Sequence, residues 1–186
     1  MGTVFQPYRL GLNTSVTYKN LNLSIVADYR GGGVIFNQIG QLLDWTGSSA
    51  HSTYGNRQRF VFPNSVYDDG SGHYVNNTSR QIANVFNFWT TYSTLGTPYV
   101  TSNAFWKLRE VVLTYTVPNS VIRRTKYIKN LAVGITGRNL LMWRPKENIW
   151  TDPEFNLGGN YNANGTTNSS QTPPTRFYGL NINVSL

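Results

Sequence analysis

The C-terminal segment Tyr178–Leu186, YGLNINVSL, alternates apolar and polar residues up to its last position. Leu180, Ile182 and Val184 fall on one side of the pattern, and the other side carries only small uncharged residues. A period of two is that of a β-strand, because successive side chains of a strand point to opposite faces. Chain ends usually carry little pattern, so this alternation predicts a last strand that is held in a sheet.

Four earlier segments alternate in the same way and predict further strands. They are Leu10–Tyr18, Leu21–Arg30, Phe105–Val117 and Leu131–Leu141. The two-residue link Lys19-Asn20 joins the first two strands and suits a tight hairpin. The fold class predicted from these segments is all-β, with antiparallel strands that run up and down.

The connections between the strands are of two kinds. Residues 31–103 and 142–175 form long loops, and the other connections are short. If the strands alternate in direction, both long loops lie at one end of the sheet. Loops of this length carry local structure or function. Helical spacing of apolar residues predicts one helix over Val34–Trp45 in the first of them.

The composition indicates which solvent meets the apolar face of the sheet. Only 13% of the residues are charged, about half of the ~25% that is usual in soluble domains. The polar face carries mainly Asn, Ser, Thr and Gly, which suits a barrel lumen better than bulk water. Its charged residues are Asp28, Arg30, Glu110 and Arg138, predicted to face the lumen. Tyrosines at or near the strand ends suit the aromatic girdles of a transmembrane barrel.

Five strands are too few to close such a barrel, because closed barrels of this class start at about eight strands. An open sheet in lipid would leave backbone groups unpaired at its edges. Residues 1–186 are therefore predicted to be the C-terminal segment of a transmembrane β-barrel with long extracellular loops. The alternative that the pattern leaves open is a soluble β-sheet carbohydrate-binding module, which would be monomeric without detergent.

Several functional classes find no support in the sequence. Cysteine is absent, and no Ser/His/Asp arrangement is legible, so an enzyme is not predicted. The net charge is +8, but the basic residues are scattered, with one cluster at residues 123–126, and no nucleic-acid partner is expected. His51 and His73 lack metal-ligand spacing, and Asp68-Asp69 lies in a Gly-rich turn, so neither a metal nor a cofactor is predicted.

Aromatic residues of the long loops are the candidates for substrate or partner contact. These candidates are Trp45, Trp89, Tyr92, Trp143 and Trp150. A sugar ring stacks on such a face through its C–H groups, and a large exposed aromatic side chain in a loop needs either a packing partner or a binding role. The alternative is that these side chains pack the loops themselves.

Four motifs occur in an order and spacing that resemble a known family. They are NAFWKLREVVLTYTVP at residues 103–118, LAVGITGRNLLMW at 131–143, TDPEF at 151–155 and FYGLNINVSL at 177–186. Together with VTYKNLNLSIVADYRGGGVIFN at residues 16–37, they resemble the C-terminal part of SusC/RagA-type TonB-linked outer-membrane transporters. The resemblance covers nearly the whole chain.

This resemblance implies a location in the cell outer membrane and contact with outer-membrane lipid. For the intact protein it implies energised import of glycan or peptide nutrients, that is, of an oligosaccharide or peptide substrate. It further implies a SusD-like surface lipoprotein as partner and a TonB complex that acts through an N-terminal part absent from this chain. No cofactor is implied.

Overall fold

The computed structural model describes residues 2–123, 127–154, 165–170, 172 and 174–186. Most of the basic cluster, residues 124–126, therefore lies outside the described residues. In chain order the elements are β1 (Tyr8–Tyr18), β2 (Leu21–Gly31), β3 (Val34–Phe36), α1 (Gln38–Trp45), β4 (Val66–Asp68), β5 (Tyr74–Asn76), α2 (Val85–Tyr92), β6 (Val100–Ser102), β7 (Phe105–Thr116), α3 (Asn119–Ile122), β8 (Asn130–Trp143) and β9 (Phe177–Ser185). Short 3₁₀ turns occupy His51–Arg57 and Thr97–Tyr99.

The five long strands form one antiparallel sheet in the order β1-β2-β7-β8-β9. The predicted antiparallel all-β architecture is confirmed, and each predicted strand agrees with the observed one to within two residues. The sheet is open within the described chain, since β1 and β9 each pair with one neighbour only. Closure into a barrel therefore stays a proposal.

The predicted helix over Val34–Trp45 is wrong in its first part. Val34–Phe36 is a strand that pairs with Val100–Ser102, and the helix begins only at Gln38. β-Branched and aromatic residues favour a strand, and the pairing with β6 satisfies their backbone groups. A second helix, α2, was not predicted; the side chain of Asn84 caps it by accepting a hydrogen bond from the Asn87 amide at 3.0 Å.

Cross-strand pairing aligns the apolar residues of all five strands into continuous rows, because paired residues share a face. The two middle rows are Thr14, Ile25, Val111, Gly137 and Tyr178, and Val16, Leu23, Leu113, Ile135 and Leu180. Aromatic residues lie at both ends of this face. Tyr29, Trp106 and Trp143 share a row at the long-loop end, and Tyr18 and Tyr115 share one at the short-link end.

A bulge interrupts strand β7. Ala27 pairs with Leu108 and Val26 pairs with Glu110, so Arg109 has no partner in the β2 ladder. The β8 ladder also shifts between Leu108 and Glu110. An extra residue of this kind inverts the alternation, so that Trp106 and Leu108 lie on the apolar face before it and Val111 and Leu113 lie there after it. The Arg109 side chain consequently joins the polar face, where it reaches Asp28.

Most of the tightly buried hydrophobic residues lie at the long-loop end of the sheet. Ile35, Tyr99 and Phe105 are each 1% exposed, and Phe60 and Trp89 are also buried. Strand β3, helix α2, the 3₁₀ turn Thr97–Tyr99 and the start of β7 supply four of these residues, and Phe60 lies in the loop before β4. The long loops thus form a folded layer with a buried core of its own. Among the described residues, no helix is both long enough and apolar enough to cross a membrane.

Candidate functional site

The polar face carries an ion-pair network centred on Arg109, the residue of the bulge. Its guanidinium binds two carboxylates at once. Nε and Nη2 donate to Asp28 at 2.5 and 2.8 Å, and Nη1 and Nη2 donate to Glu154 at 2.6 and 2.7 Å. Such paired geometry is the strongest arrangement available to an arginine. It ties the loop that contains Glu154 to strands β2 and β7.

Lys107 and Arg30 extend the same network. Lys107 donates to Asp152 at 2.5 Å and to Glu154 at 2.7 Å, and Arg30 approaches Glu154 at 3.3 Å. Lys107 and Asp152 are each 6% exposed, so their charges are removed from water and depend on each other. The ring of Phe105 lies beneath the network. The three cationic groups lie 5.0–5.9 Å from its centre, within reach of cation–π contact.

The charges of this network balance, since Arg30, Lys107 and Arg109 face Asp28, Asp152 and Glu154. Burial opposes the charged form of Glu154, but hydrogen bonds from Arg109 and Lys107 outweigh it and lower the pKa of this carboxyl group to about 2. Glu154 is therefore ionised throughout the physiological range. The network acts as a permanent anchor of the loop rather than as a proton donor.

Asp28, Arg30, Glu110 and Arg138, the charges predicted for the lumen, all lie on the polar face of the sheet. Glu110 and Arg138 form a separate pair at 2.9 Å, and Arg138 is 61% exposed. The sequence did not predict the roles of Lys107, Arg109, Asp152 and Glu154. The only signal for them was the pair of basic residues at the start of a strand and the pair of acidic residues in TDPEF.

The aromatic candidates of the loops differ in burial and in the residues that they contact. Trp89 and Tyr92 belong to an aromatic cluster with Phe60, Phe62 and Phe88, with ring centres 5.1–6.5 Å apart. Trp89 is only 7% exposed. Packing energy from such contacts is sufficient reason for these two residues to be aromatic.

Trp143 and Trp45 lie elsewhere. Trp143 is the last residue of β8 and pairs with Trp106 on the apolar face, so its predicted place in a loop is wrong. The apolar pattern continues two residues beyond the strand end expected at Leu141. Trp45, by contrast, ends helix α1 with 53% of its surface exposed.

Trp150 packs against the inner side of helix α1. Its ring lies 4.8 Å from that of His51 and 6.3 Å from that of Tyr99. A methyl group at Gly40 would come within 2.6 Å of two atoms of the indole. Glycine at position 40 is therefore the residue that lets the second long loop approach the helix of the first.

Asp44 is a buried carboxylate beside this contact. It is 0% exposed and accepts hydrogen bonds from Ser49 and from the Tyr99 hydroxyl, the latter at 2.8 Å, while His51 lies 3.4 Å away. Burial and the bond to Asp44 raise the pKa of Tyr99, so the phenol stays protonated and donates. Ser49 bonds to Asp44, whereas a catalytic serine of a triad bonds to the histidine.

The acidic turn at residues 68–73 is satisfied by its own backbone. Asp68 accepts from the Gly70 amide and Asp69 from the Ser71 amide, each at 2.8 Å. Across the described residues, no group of three His, Cys, Asp or Glu side chains is arranged to hold a metal ion.

Replacing Glu154 with Gln should loosen the loop around it. The variant keeps the shape of the side chain but leaves three cations without this carboxylate, at a cost of roughly 1.5–3 kcal/mol. Hydrogen exchange of residues 144–154 should accelerate in the purified protein, whereas Glu147→Gln, at an exposed position of the same loop, should change nothing. Equal exchange in both variants would contradict the anchoring role.

Acid should release the same anchor only at very low pH. The pKa of Glu154 in the folded chain is about 2, against an ordinary value of 4.5. Its stabilising contribution is therefore complete above pH 4.5 and is lost as the pH falls towards 2. Loop exchange, corrected for the intrinsic rate, should be constant from pH 8 to pH 5 and rise below pH 4. A rise near pH 6 would instead indicate histidine control.

Gly40→Ala should weaken the contact between the two long loops. The clash with Trp150 forces one side to move, at about 1–3 kcal/mol, which outweighs a gain in helix propensity of at most about 1 kcal/mol. We expect a red shift of tryptophan emission and faster proteolysis in the loops. Gly96→Ala is the matched control, because no atom lies within 4 Å of its added methyl group. Identical behaviour of the two variants would refute the steric argument.

Comparison with known proteins identifies the fold. No protein-family model and no curated protein matches the chain. Among solved structures it resembles a chain of the RagAB peptide importer in the closed-closed state, with a TM-score of 0.57 and 20% identity over 97% of this chain and 17% of that one. The open-open state gives a TM-score of 0.54 at 19% identity, over 98% and 17%. The chain thus spans about one sixth of the length of these neighbours, and the likeness concerns the fold.

Proposed function

We propose that this chain is the C-terminal segment of the β-barrel of an outer-membrane nutrient importer of the SusC/RagA type. The observation that carries the proposal is the contrast between the two faces of the sheet. The loops fold over the polar face at one end through Arg109 and Glu154, while the apolar face keeps its leucines, valines and isoleucines exposed. Ile135, Leu180 and Ile182, for example, are 54%, 78% and 66% exposed.

The dimensions of the apolar face support lipid as its solvent. Tyr18 and Leu10 lie in the two rows that contain the aromatic residues, eight positions apart along β1. At about 3.4 Å per residue, the strand covers ~27 Å between them, and strand tilt shortens this towards the ~25 Å apolar band of outer-membrane barrels. Aromatic side chains at both limits are the arrangement expected at two membrane–water interfaces.

A soluble carbohydrate-binding module explains these features less well. A soluble sandwich covers its apolar sheet face with a second sheet, and no described segment covers this one. The two small sheets, β3-β6 and β4-β5, belong to the loop layer. In water, the exposed rows and the two unpaired edges would favour aggregation.

The proposal includes partners at the two ends of the barrel. The long loops lie together at one end, which we assign to the cell exterior, where a SusD-like lipoprotein would meet them. Energy would come from a TonB complex through parts of the transporter beyond this chain. The solved neighbours are described as peptide importers; for this protein the imported nutrient is a peptide or an oligosaccharide.

The test is a pair of arginine substitutions on opposite faces of β2 in the full-length transporter. Leu23 lies in a middle row of the apolar face, and its neighbour Asn22 lies on the polar face. Leu23→Arg should cost about 2–4 kcal/mol, because it places a charge in the lipid near the bilayer midplane. Asn22→Arg should cost much less. Folded barrel is measured as heat-modifiable protein in outer-membrane fractions.

Two controls complete this experiment. Ile135→Arg repeats the apolar substitution on β8, in the same row as Leu23, and Thr136→Arg repeats the polar one. Loss of folded barrel in the Leu23 and Ile135 variants only is the expected result. Equal loss in all four, or recovery of a sharp monomer in water without detergent, argues against a membrane-facing sheet and favours the soluble module.

A further inference from the structure

One face of helix α1 points away from the loop core and lines a hollow of about 380 Å³. Gln38, Gln41, Leu42 and Trp45 follow the spacing i, i+3, i+4 and i+7, which places them on a single side of the helix. Gly40 and Asp44 on the opposite side are buried. The exposed stripe is therefore a separate feature and does not belong to the packing of the loops.

Both long loops build this hollow. Its walls include Ser93 and Thr94, which follow α2, and residues 168–169 of the second loop. The Gln41 amide nitrogen donates to the Ser93 carbonyl at 2.7 Å, which fixes that side chain and leaves its oxygen as an acceptor. The two loops are also joined beneath α1, because the Ile39 amide donates to Thr167 at 3.3 Å.

The chemistry of the lining is specific. Among the described residues that form it, none is charged; the polar ones are amides and hydroxyls, and Trp45 is the only aromatic. Trp45 is 53% exposed and Leu42 is 39% exposed beside it. A ligand that fits has a flat apolar face for the indole and a rim of neutral groups that both donate and accept hydrogen bonds.

We propose that this hollow, with Trp45 as its platform, is a binding site for a neutral sugar unit of an oligosaccharide. A pyranose ring presents its C–H groups on one face, which would stack on the indole, and hydroxyls around its edge for Gln38, Gln41 and Thr94. This inference rests on the proposed function, since it names the substrate chemistry that the external loops of the importer would select.

A peptide fits this lining less well. Peptide termini carry charges, and the described lining offers no ion-pair partner for them. The apolar aromatic pocket that would suit a large side chain lies elsewhere, among Tyr54, Phe60 and Phe62. Peptide binding at Trp45 is accordingly an alternative that the experiment must separate.

The experiment measures binding to the purified full-length transporter in detergent by calorimetry. The probes are maltohexaose, cellohexaose, xylohexaose and mannohexaose, together with a neutral hexapeptide. At least one hexasaccharide should bind and should quench tryptophan emission. Trp45→Ala should weaken this binding about tenfold or more, as expected for a central aromatic anchor, and Trp45→Tyr should restore part of it. Gln38→Ala should weaken it by a smaller factor.

The matched control is Tyr74→Ala, which removes an aromatic residue of the same long loop that is 74% exposed and lies outside this hollow; its affinity should be unchanged. Failure of all four sugars to bind, or a loss in the Tyr74 variant equal to that in the Trp45 variant, overturns the proposal. So does peptide binding that depends on Trp45 in the absence of sugar binding. Heat-modifiable protein in the outer membrane is scored independently, so the importer assignment can stand when the sugar site fails.

Discussion

The long-loop end of the molecule depends on the ion pairs that Arg109 forms with Asp28 and Glu154. These ion pairs involve the bulge in β7, because Arg109 is the residue that has no partner in the β2 ladder. Once Arg109 is on the polar face, Glu154 also receives Lys107 and Arg30. Glu154 contacts all three cations, so removing this one carboxylate weakens several ion pairs at once.

This anchor also explains why the two faces of the sheet differ. Loop residues cover the polar face near Phe105, which is 1% exposed, whereas rows of leucine, valine and isoleucine on the other face have no cover in the described chain. A protein that folds in water reverses this choice and buries its apolar face first. This contrast between the faces supports the proposal that the apolar face meets lipid, while the loops contain the core that water requires.

The sequence predicted the sheet well because one face of the sheet is apolar and the other is polar. Each strand must therefore alternate along its whole length, and this alternation is visible in the sequence. It could not predict the bulge, since alternation on both sides of Arg109 reads as an ordinary strand with one irregular position. Nor could it join Lys107 to Asp152, which lie 45 residues apart and meet only through the loop fold. Helix α1 was predicted too long because Val34 and Ile35 continue an apolar spacing, while their pairing with β6 is a long-range contact.

The sequence also could not show which loop tryptophans are buried by packing and which are exposed. This difference matters for the proposed ligand site. Composition alone treats Trp45, Trp89 and Trp150 alike, but Trp89 packs among phenylalanines and Trp150 rests on Gly40. That packing fixes the inner side of α1, together with the buried Asp44. On the outer side, the hydrogen bond from Gln41 to the Ser93 carbonyl orders one of the lining side chains. A pre-ordered platform loses little conformational entropy on binding, so this packing would favour binding of a sugar at the site proposed around Trp45.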